Sequence, residues 1–246
     1  MVKYLIGCVP AMNKGKLYIV ATPIGNLGDM TYRAVEVLAA VDTILSEDTR
    51  ETDKVLRHFN LEKKQISYRD QNHVRIMPAI LELLDAGKDL ALVSDSGTPL
   101  ISDPGFNLVR ELASKEYEIV SVPGASSVVA ALSVSGLPTD RFTFLGFLPK
   151  SGAAQKNLLN TYGKLESTLI IFESPFRIIK LLEEVETTLG NRKVCVLNDL
   201  TKMHEKLIRG TVSEILSKKH EIKPKGEYIL LIAKEGFELW IYRTEV

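Results

Sequence analysis

The run pattern of the first half limits the fold most. KLYIVAT (16–22), TILS (43–46), DLALV (89–93) and YEIVSVPG (117–124) are short, and their apolar residues are continuous rather than alternating. A strand with one wet face alternates apolar and polar residues. A strand that is apolar on successive positions buries both faces. Between these runs lie segments of helical spacing: YRAVEVLAAVD (32–42), residues 53–59, MPAILELLDAG (77–87) and FNLVRELASK (106–115). This alternation predicts a parallel sheet covered by helices on both faces. Thr31 is placed to cap the first helix, whose apolar side reads as Val35, Leu38, Ala39 and Val41. Gly87 stops the third helix. Residues 60–72 are polar and read as irregular.

Ligands of such sheets bind at the carboxyl ends of the strands. Three unusual loops lie there: TPIGNLGD, SEDTR and SDSGTPLISDPG (94–105). The last is longer than the two to six residues an ordinary connection needs. Its Gly, Ser and Pro content suits a backbone that approaches something closely. Each feature also has a plainer reading. TPIGN (22–26) is a turn, PGASS (123–127) a helix start capped by Ser126 or Ser127, and EDTRETDK (47–54) a solvated helix start. Glu173 in IIFESP ends an apolar run, where a carboxylate is costly unless it is paired or used.

The second half reads as a mixed α/β unit. RFTFLGFLP (141–149), STLIIFESP (167–175), RKVCVLND (192–199) and GEYILLIAKE (226–235) are strands. PGASSVVAALSVSG (123–136) and FRIIKLLEEVETTLG (176–190) are helices. Two α/β domains are therefore expected, residues 16–122 and 123–246, after an N-terminal extension over 1–15 that reads as disordered. Met12 offers an alternative start. Formal net charge is zero, but 14 Lys/Arg face 17 Asp/Glu before residue 123 and 17 face 14 after it. Cys8 and Cys195 have no metal-ligand spacing, and two distant cysteines fit a reducing cytoplasm. No run is long enough to span a membrane. The P-loop, the G-x-G-x-x-G fingerprint, a second His after HEKLI and a G-x-S-x-G elbow are all missing.

Taken in order, LYIVATPIGNLGDMTYRAVEVL, ILSEDTR, SDSGTPLISDPG, SVPGASSVVAALSVSGLP, FTFLGFLP, IFESPFR, DLTKMHE and KGEY resemble the tetrapyrrole (corrin/porphyrin) methylase family. They resemble above all its branch acting on ribosomal RNA. The likeness runs from about Lys16 to Ala233. It implies two α/β domains with S-adenosylmethionine in a cleft between them and no metal. It also implies 2′-O-methylation of a cytidine ribose in the decoding region of 16S rRNA, by a cytoplasmic homodimer. Carried over by motif, cofactor contacts fall on Pro23, Gly25, Ser94, Asp95, Ser96, Gly97, Ile101, Ser126, Ser127, Phe172, Leu200 and Thr201. Two positions depart from the branch: Phe176 stands where His is usual, and Asn198-Asp199 where Arg-Glu is usual. The second removes a positive charge near the expected cleft.

A ribose hydroxyl is a weak nucleophile, so a base or a cation beside the forming alkoxide should help. Glu173 or Glu47 is expected to position or deprotonate, and Lys202 to assist electrostatically. A tetrapyrrole-modifying methylase, an inactive RNA-binding protein and a plain nucleotide-binding domain remain open readings.

Overall fold

The computed structural model describes residues 14–238. The extension as far as residue 13, with Met12 and Cys8, lies outside the described residues. The chain divides into two compact units. One holds the residues up to Pro23 together with Leu27–Ala125, and the other holds Ile24–Asn26 and the residues from Ser126 onward.

The first unit is a five-stranded sheet of β1 (Leu17–Val20), β2 (Thr43–Ser46), β3 (Gln65–Ser67), β4 (Leu90–Val93) and β5 (Ile119–Val122), in the order β3-β2-β4-β1-β5. All pairings are parallel. Successive residues of β4 serve opposite faces. Leu90 and Leu92 pack with α3 (His73–Asp85) and α4 (Phe106–Ser114). Ala91 and Val93 pack with α1 (Tyr32–Ala40) and α2 (Thr49–His58). Right-handed crossovers explain this division, because β1→β2 and β2→β3 run one way across the sheet and β3→β4 and β4→β5 the other. The neighbours β1 and β4 thus send their chains in opposite directions, which makes a switch point between them.

Thr31 caps α1 by accepting from Ala34 N. The buried side of that helix is Ala34 and Leu38, with Val41 just beyond; Ala39 is exposed, because positions at i, i+4 and i+7 share a face. The segment 60–72 is not wholly irregular: it contains β3, which pairs with β2.

The second unit has the sheet order β6-β7-β10-β8-β9, with strands Phe142–Phe147 (β6), Thr168–Glu173 (β7), Lys193–Asn198 (β8), Lys206–Thr211 (β9) and Tyr228–Ile232 (β10). Only β6–β7 is parallel. One face packs α6 (Gly152–Tyr162), α7 (Ile178–Leu189) and α8 (Val212–Ser217); the other packs α5 (Ser127–Ser135). Among the described residues no helix is long and apolar enough to cross a membrane.

Candidate active site

Within the first unit, the loops leaving β1, β2, β4 and β5 are tied to one another. Thr22 N donates to Gly97 O at 2.8 Å, and Gly97 N returns a bond to Thr22 O at 3.1 Å. The Thr22 hydroxyl donates to Ser94 O and Gly97 O. Asp95 Oδ1 accepts from Asp48 N at 3.0 Å, and Asp95 N donates to Glu47 Oε2 at 3.3 Å. Thr98 Oγ1 donates to Ala125 O at 3.0 Å. The loop after β4 is therefore held at the switch point. Its members differ in exposure: Ser94 and Gly97 are buried, whereas Asp95, Ser96 and Ile101 are exposed. Pro23 is buried beside them.

Carboxylates crowd here. Burial, chiefly, raises the Glu47 and Asp95 acids above their ordinary range. Asp103 is pushed up to about 6, first by burial and then by the charges of Glu47 and Asp95, against a hydrogen bond with Ser94. Asp48 goes the other way: Arg50 binds it, and Asp48 also caps α2 by accepting from Arg50 N. Asp48 is thus a helix cap with a largely covered side chain and Arg50 is its exposed partner, while Glu47 turns toward the β4 loop.

In the second unit, Glu173, Tyr228, Asn198 and Lys206 form one row across β7, β10, β8 and β9. Glu173 is 2% exposed. Its Oε1 accepts from Arg177 Nε at 2.8 Å, Arg177 Nη2 at 2.6 Å and Ser174 N at 2.7 Å. Its Oε2 is buried and has no hydrogen-bond partner among the described residues. Alternation along β7 sends Phe172 to the other face, against the cluster that includes α5. Ser126 stands at the N-cap of α5, but its side chain makes no cap hydrogen bond. The hydroxyl that a simple helix start would consume is not consumed.

The β8–β9 turn carries Leu200, Thr201 and Lys202. Thr201 Oγ1 is buried and has no hydrogen-bond partner among the described residues. A Cβ on Gly25 would lie 2.5 Å from Lys202 Cγ and 3.0 Å from Thr201 Oγ1, so only glycine fits where TPIGN meets this turn. Lys202 Nζ lies 2.9 Å from Glu227 Oε2 and 3.7 Å from Asp199 Oδ1. Asn198 donates to the carbonyls of Lys225 and Glu227, so this departure from the branch pattern anchors the loop before β10.

Backbone strain singles out the same loops. Among the described residues, six other than glycine have positive φ. Asn60 and Glu116 follow the C-caps of α2 and α4, an ordinary use of that conformation. The other four are Leu100 and Ser102 in the β4 loop and Asp199 and Thr201 in the β8–β9 turn. A bulky Leu and a β-branched Thr held there mark a constraint beyond chain reversal.

The family model of the tetrapyrrole (corrin/porphyrin) methylases matches residues 16–216. The chain belongs to this family. The Synechocystis relative named "Ribosomal RNA small subunit methyltransferase I" is 48% identical over 220 residues, 89% of this chain and 79% of its own length. The Thermotoga maritima relative of the same name is 42% identical over 219 residues, 89% of this chain and 98% of its own. Among solved structures, the uroporphyrin-III C-methyltransferase of Thermus thermophilus complexed with S-adenosylhomocysteine superposes with a TM-score of 0.62. It is 18% identical and covers 89% of this chain and 97% of that one, a likeness of fold.

In this methylase, Pro23, Ser94–Gly97, Ile101 and Glu47 lie in the first unit. Gly25, Ser126, Ser127, Phe172, Glu173 and Leu200–Lys202 lie in the second. Sequence reasoning passed over Asp103, Arg177 and Thr22. Each was within reach: Asp103 is the second Asp of SDSGTPLISDPG, Arg177 lies four residues after Glu173, and Thr22 opens TPIGN.

Proposed function

We propose that this chain is an S-adenosylmethionine-dependent methyltransferase that 2′-O-methylates a cytidine ribose in the decoding region of 16S rRNA. It would act in the cytoplasm as a homodimer. The observation that carries the reading is the pair of strained, ligand-poised loops, Ser94–Gly105 and Asp199–Glu205, in a chain 42–48% identical to relatives named for ribosomal RNA methylation. Residues fit for the cofactor are on hand. Thr201 Oγ1 is a buried hydroxyl with no hydrogen-bond partner among the described residues, and the Ser126 side chain makes no cap bond. Pro23, Gly25, Ser94, Asp95, Ser96, Gly97, Ile101, Ser127, Phe172 and Leu200 would complete its contacts. S-adenosylmethionine supplies a methyl group already activated by the sulfonium charge.

The protein's share is to hold the acceptor hydroxyl in line and keep water away. Glu47 is the preferred base, since burial raises its acid and its Oε2 has only a long contact from Asp95 N. Glu173 is the weaker candidate. Three donors hold its Oε1, leaving Oε2 to accept from a ligand and position it. Lys202 would steady negative charge on the acceptor oxygen.

The test is nucleoside analysis of small-subunit RNA after reaction with methyl-labelled cofactor. Label in an alkali-resistant dinucleotide containing 2′-O-methylcytidine supports the assignment. Label on a base, or on an added porphyrinoid, contradicts it.

A further inference from the structure

Beside the β8–β9 turn the second unit has a depression of about 540 Å³, in the size range of small-ligand sites. Lys206 at the start of β9, and Lys223 and Lys225 in the loop before β10, line it and are its basic residues. Its remaining walls are Asn198, Asp199 and the turn residues 203–205.

The frame under these lysines is fixed by bonds that do not use their side chains. Tyr228 Oη donates to Lys223 O at 2.8 Å, and Asn198 Nδ2 donates to Lys225 O and Glu227 O, each at 3.2 Å. Glu227 N donates to Asp199 Oδ1. The nearby carboxylates are already engaged. Asp199 and Glu227 face Lys202, and Glu205 Oε2 accepts from Thr201 N at 2.6 Å. Among the described residues, Lys206, Lys223 and Lys225 form no ion pair. Met203, 92% exposed, and His204 stand beside them as apolar and ring surfaces. Unpaired cations on a braced loop, next to side chains able to pack on a base, suit a nucleic-acid strand.

We propose that this depression seats the phosphodiester backbone of RNA. Lys206, Lys223 and Lys225 each neutralise a phosphate, and Met203 and His204 pack against a neighbouring base or sugar. The inference rests on the RNA-substrate reading; the depression shares the Asp199–Glu205 turn with the proposed site, while its three lysines lie outside the residues assigned to methyl transfer.

The test compares wild type with the triple variant Lys206→Gln, Lys223→Gln, Lys225→Gln. A fluorescent synthetic RNA hairpin is titrated across a series of KCl concentrations. Affinity for S-adenosylmethionine and the melting temperature are measured in parallel, and both should be unchanged because these lysines form no ion pair among the described residues. The variant should lose at least about tenfold in RNA affinity at low salt, and its salt slope should fall by about 2 to 3. Its KM for small subunits should rise. Unchanged affinity and slope, or no hairpin binding by wild type, overturns the docking site. So does an equal loss toward a polyglutamate peptide, which would mean a general anion patch. Hairpin binding through the lysines without methyl transfer leaves the docking site standing and removes the functional reading. Methyl transfer with an unchanged KM in the variant does the reverse.

Discussion

Asp103 shows how one residue links the loop after β4 to pH. Burial holds its carboxyl protonated up to about pH 6, whereas an unfolded chain releases that proton near 4. Between those values the folded state binds more protons, so stability falls as pH rises through the window. Asp103→Asn removes the penalty at pH 7 and should stabilise the protein there by about 1–2 kcal/mol, discounted because the group is only partly buried. The gain should vanish at pH 4. Thermal melts of both proteins at the two pH values check this; an equal difference at both would mean that titration is not the cause. Glu173 offers a second case at this scale. Glu173→Ala strips the Arg177 guanidinium of its partner and should cost about 3 kcal/mol. Glu173→Gln, which keeps an acceptor for Ser174 N, should cost less, and denaturant titration of both variants separates the two effects. Glu47→Gln should lower kcat by about a hundredfold or more while leaving cofactor affinity intact, measured by single-turnover transfer and calorimetry. Equal losses in both would move Glu47 out of the base role.

At the scale of elements, the loop after β4 depends on Gly105, which starts α4 at φ +130°. A Cβ there would lie 2.7 Å from Leu92 Cδ2. Gly105→Ala should cost about 2–3 kcal/mol in denaturant unfolding. What the sequence disclosed about elements follows from burial. β2 and β4 are buried at every position, so their apolar runs announced a parallel sheet. β3 and β9 are edge strands with no fully buried residue, and QIS and KLIRGT carry no such run. The site was legible as loops, through their small residues and their place after strands. The facing of its residues was not. Phe172 and Glu173 are adjacent in sequence, yet only packing reveals which of them meets the α5 side. Asp103 is in plain view in the loop, but composition does not say which of the two aspartates is the less exposed.

At the scale of the whole molecule, zero formal charge gives no general attraction to a polyanion. Any affinity for RNA must come from local clusters, such as Lys206, Lys223 and Lys225 beside the β8–β9 turn. Wild-type binding to small subunits should therefore weaken steeply with added salt. A filter-binding series in KCl measures this, and a flat response would contradict it. The central claim is the proposed one, that this chain transfers methyl groups from S-adenosylmethionine to ribosomal RNA and that the loop after β4 serves the transfer. Its most direct test is transfer of labelled methyl from S-adenosylmethionine to small subunits lacking the modification, with wild type and Asp95→Ala run side by side. Wild type should place label on ribose, and the variant should place almost none. Label that persists undiminished in Asp95→Ala, or no label from a wild type that binds the cofactor, would contradict it.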